Sequence, residues 1–193
     1  MRALLVPVKS FADAKVRLSP ALTAGERQKL ARRLAEGVLE AAGELDPFVV
    51  CEDAAVAEWA RDRGAGVLFN PGVGLSRAVN AGVLELAALG YRSAVVAHSD
   101  LAQPQGLASV ALDGAVVLVP DLRRDGTNVA CVPTAAGFLF SYGAGSFDRH
   151  RIEARRLGLP CVVVRDRRLA ADVDVPEDLH LLPPLVQATL AVP

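Results

Sequence analysis

The chain has 193 residues, 21 Lys+Arg against 22 Asp+Glu and a formal net charge of -1, with 52% hydrophobic and 22% charged residues. That length suits one domain, and the composition can bury a core, which excludes intrinsic disorder. Near-neutral charge argues against a dedicated nucleic-acid binder, although a local cluster of cations could still hold a small anion. Cys51, Cys131 and Cys161 lie far apart in apolar runs and match no zinc or disulfide spacing, so all three are expected as buried, reduced thiols. The N-terminus reaches Pro7 and Lys9 too soon for a signal-peptide core, and no apolar run attains the roughly 18 residues of a membrane span. The expectation is a cytoplasmic protein with no membrane partner.

In chain order, Ala3–Val8 reads as a buried strand and Lys9–Pro20 as a polar loop. Thr23 and Glu26 have capping-box spacing, and Leu30, Leu34 and Val38 give the helix that follows, to about Ala42, its core stripe. Pro47–Cys51, Val67–Phe69 and Ala94–Ala97 read as strands. Asp53–Arg63 and Leu75–Leu89 read as helices, each stopped by glycine. Continuous apolar strands alternating with helices predict an α/β fold, a mostly parallel sheet covered on both faces. The second half is less regular. Ala115–Val119, Asn128–Val132, Phe138–Phe140 and Cys161–Val164 are candidate strands, and Ser146–Leu157 is a helix with Ile152 and Leu157 inward. Leu169–Asp174 is expected as a short edge strand and Pro176–Leu182 as the last helix. Residues 1–182 would form one domain, with 183–193 a loosely packed tail.

In open parallel sheets ligands bind beyond the carboxyl ends of the strands, which selects the polar segments for scrutiny. The only lysines are Lys9, Lys15 and Lys29, and the first two share the loop after the first strand with Arg17. Such a cluster suits a polyphosphate; the alternative is a solvated loop. Asp100 closes the fourth strand, where it could hold Mg²⁺ or simply make a turn. Asp172 and Asp174 are two apart, so in a strand they would face the same way and repel unless a cation lay between them. The alternative has Asp174 capping the next helix with Asp172 exposed. In Arg123-Arg124-Asp125-Gly126-Thr127-Asn128, Gly126 permits unusual backbone and Thr127 offers a hydroxyl to an anion. Tyr142-Gly-Ala-Gly-Ser146 opens a helix whose N–H groups and Ser146 hydroxyl suit a carboxylate or phosphate, or form an ordinary capped loop.

Together VPVK…AKVRLSP, RRDGTN, FSYGAGSFDRHRIEA…GLP and DVDVPEDL resemble the guanylyltransferases of coenzyme F-420 biosynthesis, from Met1 to about Leu182. DGTN and the GxGSFxxH-type motif are specific to that family; AKxRL and DVDxPEDL are shared more loosely with other nucleotidyltransferases. Two places depart from the family pattern: SDLAQPQ replaces a proline-containing turn after the strand aspartate, and Ser76 stands where relatives often carry asparagine. The resemblance implies a Rossmann-like fold of the nucleotide-diphosphosugar-transferase type. It implies GMP transfer from GTP to the phosphate of 2-phospho-L-lactate or phosphoenolpyruvate, with pyrophosphate released. It places Lys9, Lys15, Arg17 and Gly74 on the nucleotide, Mg²⁺ on Asp100, Asp172 and Asp174, and the acid on Thr127, Gly143 and Ser146. Lys15, Arg17 and Asp100 would be the catalytic groups. A homodimer is a further expectation. The rivals are a related enzyme acting on a sugar phosphate or molybdopterin-type cofactor, and a non-catalytic nucleotide-binding protein.

Overall fold

The computed structural model describes residues 1–72 and 74–190, with side chains to residue 188. Seven strands join one sheet: β1 (Arg2–Pro7), β2 (Asp46–Cys51), β3 (Gly66–Phe69), β4 (Ser93–Ala97), β5 (Val116–Pro120), β6 (Thr127–Pro133) and β7 (Cys161–Val163). Their spatial order is β3-β2-β1-β4-β6-β5-β7. All pairings are parallel except those of β6, which runs antiparallel to β4 and to β5. The helices are α1 (Ala24–Glu40), α2 (Ala54–Arg61), α3 (Leu75–Ala88), α4 (Ser146–Arg156) and α5 (Pro184–Leu190).

The two-residue period of β1 distributes its side chains between two cores. Leu4 and Val6 pack with Ala35 and Val38 of α1 and Trp59 of α2. Ala3 and Leu5 pack with Val79, Val83 and Leu86 of α3 and Phe147 and Ala154 of α4. Gly82 lets α3 approach closely, because a Cβ there would lie 3.1 Å from Leu5. The Thr23–Glu26 capping box forms as expected, and Asp53 caps α2 by accepting from the amides of Ala55 and Val56. A third apolar cluster joins Leu18, Leu30 and Leu34 to Ala102, Ala171, Val173 and Leu182, fastening the N-terminal loop to the C-terminal region.

Several expectations need correction. Phe138–Phe140 is not a strand; it is an irregular segment held by Asn80 of α3 and Glu153 of α4. Ile152 is 60% exposed, because the inward stripe of α4 is Phe147, His150 and Ala154, and Ile152 lies off that stripe. Leu169–Asp174 forms a single antiparallel bridge, Leu101 to Asp172, rather than a strand. Pro176–Leu181 is a 3-10 helix. Cys161 is exposed on the edge strand β7, unlike Cys51 and Cys131. Within the expected tail Pro184–Leu190 is helical and its described side chains are mostly exposed, and residues 191–193 lie outside the described residues.

Leu5→Ala removes a fully buried side chain from between β1 and α3. It should lower the unfolding free energy by about 2–5 kcal/mol. Ile152→Ala should change it by less than about 0.5 kcal/mol, both read from urea melts.

Candidate active site

The polar segments gather where the carboxyl ends of β1 and β4 meet the amino end of β6. Two cavities lie there. The first, about 580 Å³, is lined by the loop after β1, including Lys9, Lys15 and Arg17, together with Glu52, Leu75, His98 and Asp100. The second, about 410 Å³, is lined by Asp121–Asn128 residues, Tyr142, Gly143, Ser146 and Asp172. Arg17, His98, Asp100 and Asp174 line both, so the two cavities share a wall.

Lys15, which lines the first cavity, binds two residues of that wall, Asp100 and Asp174. Its backbone is left-handed (φ 56°, ψ 38°), a conformation costing an ordinary residue on the order of 1–2 kcal/mol. Its ammonium donates to Asp100 Oδ2 at 2.7 Å, to the Val173 carbonyl at 2.6 Å and to Asp174 Oδ1 at 3.1 Å. Burial opposes the Lys15 charge, but Asp100 and Asp174 outweigh burial and raise its pKa. Burial likewise opposes the Asp100 charge, and Lys15 more than offsets it, so this carboxyl stays below its ordinary range. Asp172 differs: burial and the neighbouring Asp100 raise its pKa, while Asn128 Nδ2 donates to its Oδ1 at 3.2 Å.

Asp174 therefore does not cap the following helix. Asp178 does so instead, its carboxylate accepting from the amides of Asp174 and Val175. Among the described residues no three His, Cys, Asp or Glu side chains are already gathered tightly enough for a metal. The donor set nevertheless suits a hard divalent cation. Asp100 Oδ1 is buried with no hydrogen-bond partner, and one ammonium leaves the three carboxylates under-neutralised.

The wall of the second cavity is built from backbone. Asp121 accepts from the amides of Asp125 and Gly126 and closes a tight turn. Gly126 serves by size rather than by unusual dihedral: a Cβ there would sit 2.9 Å from Asp121 Oδ2, while the left-handed residue is Arg124 (φ 61°). Asp125 then accepts from the Gly145 amide, fastening this turn to the start of α4. Gly143 (φ 106°) and Gly145 (φ 72°) let residues 141–145 curl. The Arg149 guanidinium collects the carbonyls of Ser141, Tyr142, Ala144 and Gly143. With those carbonyls drawn to one side, the amides of Gly143 and Ala144 make no hydrogen bond among the described residues, nor does the Ser146 hydroxyl. Free N–H groups beside a helix N-terminus form an anion site. Ser146 is the first residue of α4, whose N-cap is Gly145.

The structure brings together Lys9, Lys15, Arg17, Asp100, Thr127, Gly143, Ser146, Asp172 and Asp174 around these two cavities. Gly74 is the N-cap of α3 (φ 74°) and stays off the cavity surface, which its neighbour Leu75 reaches. The sequence reading missed Arg149 and Asn80, and noted Ser76 without a contact. Asn80 brackets Phe140 by accepting from its amide and donating to its carbonyl, and Ser76 Oγ accepts from the Tyr142 amide. The i, i+4 spacing of Ser76 and Asn80 on α3 was the available signal.

The guanylyl transferase CofC-like family matches residues 1–183. The chain belongs to that family. It is 37% identical over 188 residues to the phosphoenolpyruvate guanylyltransferase of Rubrobacter xylanophilus, covering 92% of this chain and 91% of that one. The enzyme of the same name from Sphaerobacter thermophilus is 35% identical over 187 residues, covering 92% and 90%. Among solved structures, a putative nucleotide-diphospho-sugar transferase from Desulfovibrio desulfuricans superposes with a TM-score of 0.77 at 18% identity, covering 93% of this chain and 85% of that one. This agrees with the fold expected from the sequence.

Burial lowers the pKa of His150 to about 4, with Arg149 and His98 adding to the effect and Glu153 opposing it. Its ordinary value is about 6.5. Between these values the unfolded chain binds a proton that the folded chain refuses, so stability falls as pH is lowered through this window and is unaffected above it. The stability advantage of wild type over His150→Gln should therefore shrink by roughly 3 kcal/mol between pH 7 and pH 4, measured by urea unfolding at each pH.

Proposed function

We propose that this guanylyl transferase moves GMP from GTP to the phosphate of phosphoenolpyruvate or a close three-carbon analogue, releasing pyrophosphate, in coenzyme F-420 biosynthesis. The observation that carries this reading is the shared wall. A cation-lined cavity fit for a triphosphate and an amide-lined cavity fit for a small acid meet at Asp100, Asp174, Arg17 and His98. Phosphoenolpyruvate is the acid of choice because both relatives above carry its name.

The nucleotide phosphates lie along the first cavity, where Lys9 and Arg17 have no ion pair among the described residues and so present free charge. Lys15 neutralises Asp100 and Asp174 before the nucleotide arrives and lines the same cavity, so these carboxylates repel the incoming phosphates less. The acid carboxylate takes the Gly143 and Ala144 amides with the Thr127 and Ser146 hydroxyls, which turns the acid phosphate toward the shared wall. A phosphate oxygen of the acid forms a bond to the α-phosphorus of GTP as the bond from that phosphorus to the β-phosphate oxygen breaks. The nucleophile is already ionised at neutral pH, so no general base is needed, and positioning with charge neutralisation supplies the acceleration. Asp100, Asp172 and Asp174 would hold Mg²⁺, which when bound offsets the negative charge shared by the two substrates.

Mass spectrometry after incubation with GTP, Mg²⁺ and phosphoenolpyruvate should show the guanylylated acid. Parallel incubations with 2-phospho-L-lactate and 3-phosphoglycerate rank the acids, and pyrophosphate release with none of them contradicts the reading. Asp100→Asn should abolish turnover, and Lys15→Ala should cost about 2–4 kcal/mol in kcat/KM, with circular dichroism showing a retained fold. Ser146→Ala should raise the KM of the acid by about tenfold while leaving the KM of GTP unchanged, from initial rates with each substrate varied in turn.

A further inference from the structure

His150 belongs to the motif that opens α4, yet the reaction described above gives it no task. Its ring is fully buried, wedged among Phe138, Phe140 and Tyr142 with centroids 5.3–5.8 Å away. Its Nε2 accepts from the Ser141 amide at 3.0 Å, so that nitrogen carries a lone pair. Burial keeps the ring neutral near pH 7. A neutral imidazole has one N–H, which must then be on Nδ1.

Nδ1 lies 3.0 Å from Thr127 Oγ1. The Thr127 hydroxyl accepts that proton, makes no other hydrogen bond among the described residues and lines the second cavity. A hydroxyl free to rotate could show a ligand either a lone pair or a proton. This one is engaged as an acceptor from behind, so its own proton is left to point elsewhere.

We infer that His150 is a positioning residue that fixes the Thr127 hydroxyl as a hydrogen-bond donor into the acid cavity, through a relay running Ser141 N–H, His150, Thr127, substrate oxygen. The relay selects an anionic oxygen at that point and disfavours any group that must itself donate. It rests on the proposed function, since Thr127 must touch the acid for the relay to matter.

A double-mutant cycle tests it, with phosphoenolpyruvate and GTP varied separately and thermal unfolding followed in parallel. Thr127→Val and His150→Phe should each raise the KM of the acid by about tenfold and leave the KM of GTP within about twofold. The double variant should be no worse than Thr127→Val alone, because the histidine acts only through the hydroxyl. His150→Asn, whose Nδ2 can take the place of Nδ1, should recover most of the affinity and also serves if the phenylalanine variant folds poorly. An unchanged acid KM in Thr127→Val overturns the placement of the acid and the relay together. An effect in Thr127→Val with none in His150→Phe overturns the relay alone. So does a double variant in which the two effects multiply, or an asparagine variant as impaired as the phenylalanine one.

Discussion

The ammonium of Lys15 is the interaction on which the rest of the site depends. It binds Asp100, 85 residues away, and Val173 and Asp174, 158 and 159 residues away, so one side chain ties the first loop, the end of β4 and the C-terminal segment together. Its desolvation cost makes such a buried cluster a poor source of net stability, whereas removing one partner strands the others. What the cluster supplies is registry: the first loop is brought to the end of β4 and the C-terminal segment, which are themselves joined by the Leu101–Asp172 bridge. The strained backbone at Lys15 is consistent with that role, since the three hydrogen bonds of its own side chain hold the residue there.

The second cavity obeys a different constraint. Its donors are backbone amides, which exist wherever the chain goes and become useful only if their carbonyls are drawn away. Arg149 does this from within α4 and Asn80 does it for Phe140 from α3, while Ser76 Oγ holds the loop by accepting from the Tyr142 amide. A helix on the same face of the sheet as α4 thus shapes the loop that precedes α4. The hydroxyl of Ser76 suffices to accept from the Tyr142 amide.

The first half of the fold was legible because each strand is a continuous apolar run and each helix carries its own start and stop. The second half was harder for identifiable reasons. Phe138, Leu139 and Phe140 have the apolar character of a strand, but Asn80 satisfies the Phe140 amide and carbonyl that a neighbouring strand would otherwise take. Ile152 looked inward because apolar character was read without phase; the phase of α4 is set by Phe147, His150 and Ala154. Asp172 and Asp174, singled out by their spacing, both line the second cavity. Their partners could not be read from spacing, since Lys15 reaches Asp174 and Asn128 reaches Asp172 only through the tertiary fold. Arg149 was invisible for the same reason: its partners are carbonyls, which every residue has.

The antiparallel strand β6 explains why one site can hold both kinds of chemistry. In a wholly parallel sheet only residues following the strands reach the ligand edge. Because β6 runs the other way between β4 and β5, its first residues, Thr127 and Asn128, reach that edge instead, with His98 N–H donating to the Asn128 carbonyl. The reversal also requires a tight turn between β5 and β6, and that turn, closed by Asp121, is what α4 is fastened to through Asp125. A side chain entering from the start of a strand has less conformational freedom than one on a loop, since both flanks of its backbone are held. The hydroxyl of Thr127 and the side-chain amide of Asn128 are therefore rigidly placed on the wall of the second cavity, because the sheet holds the backbone that carries them.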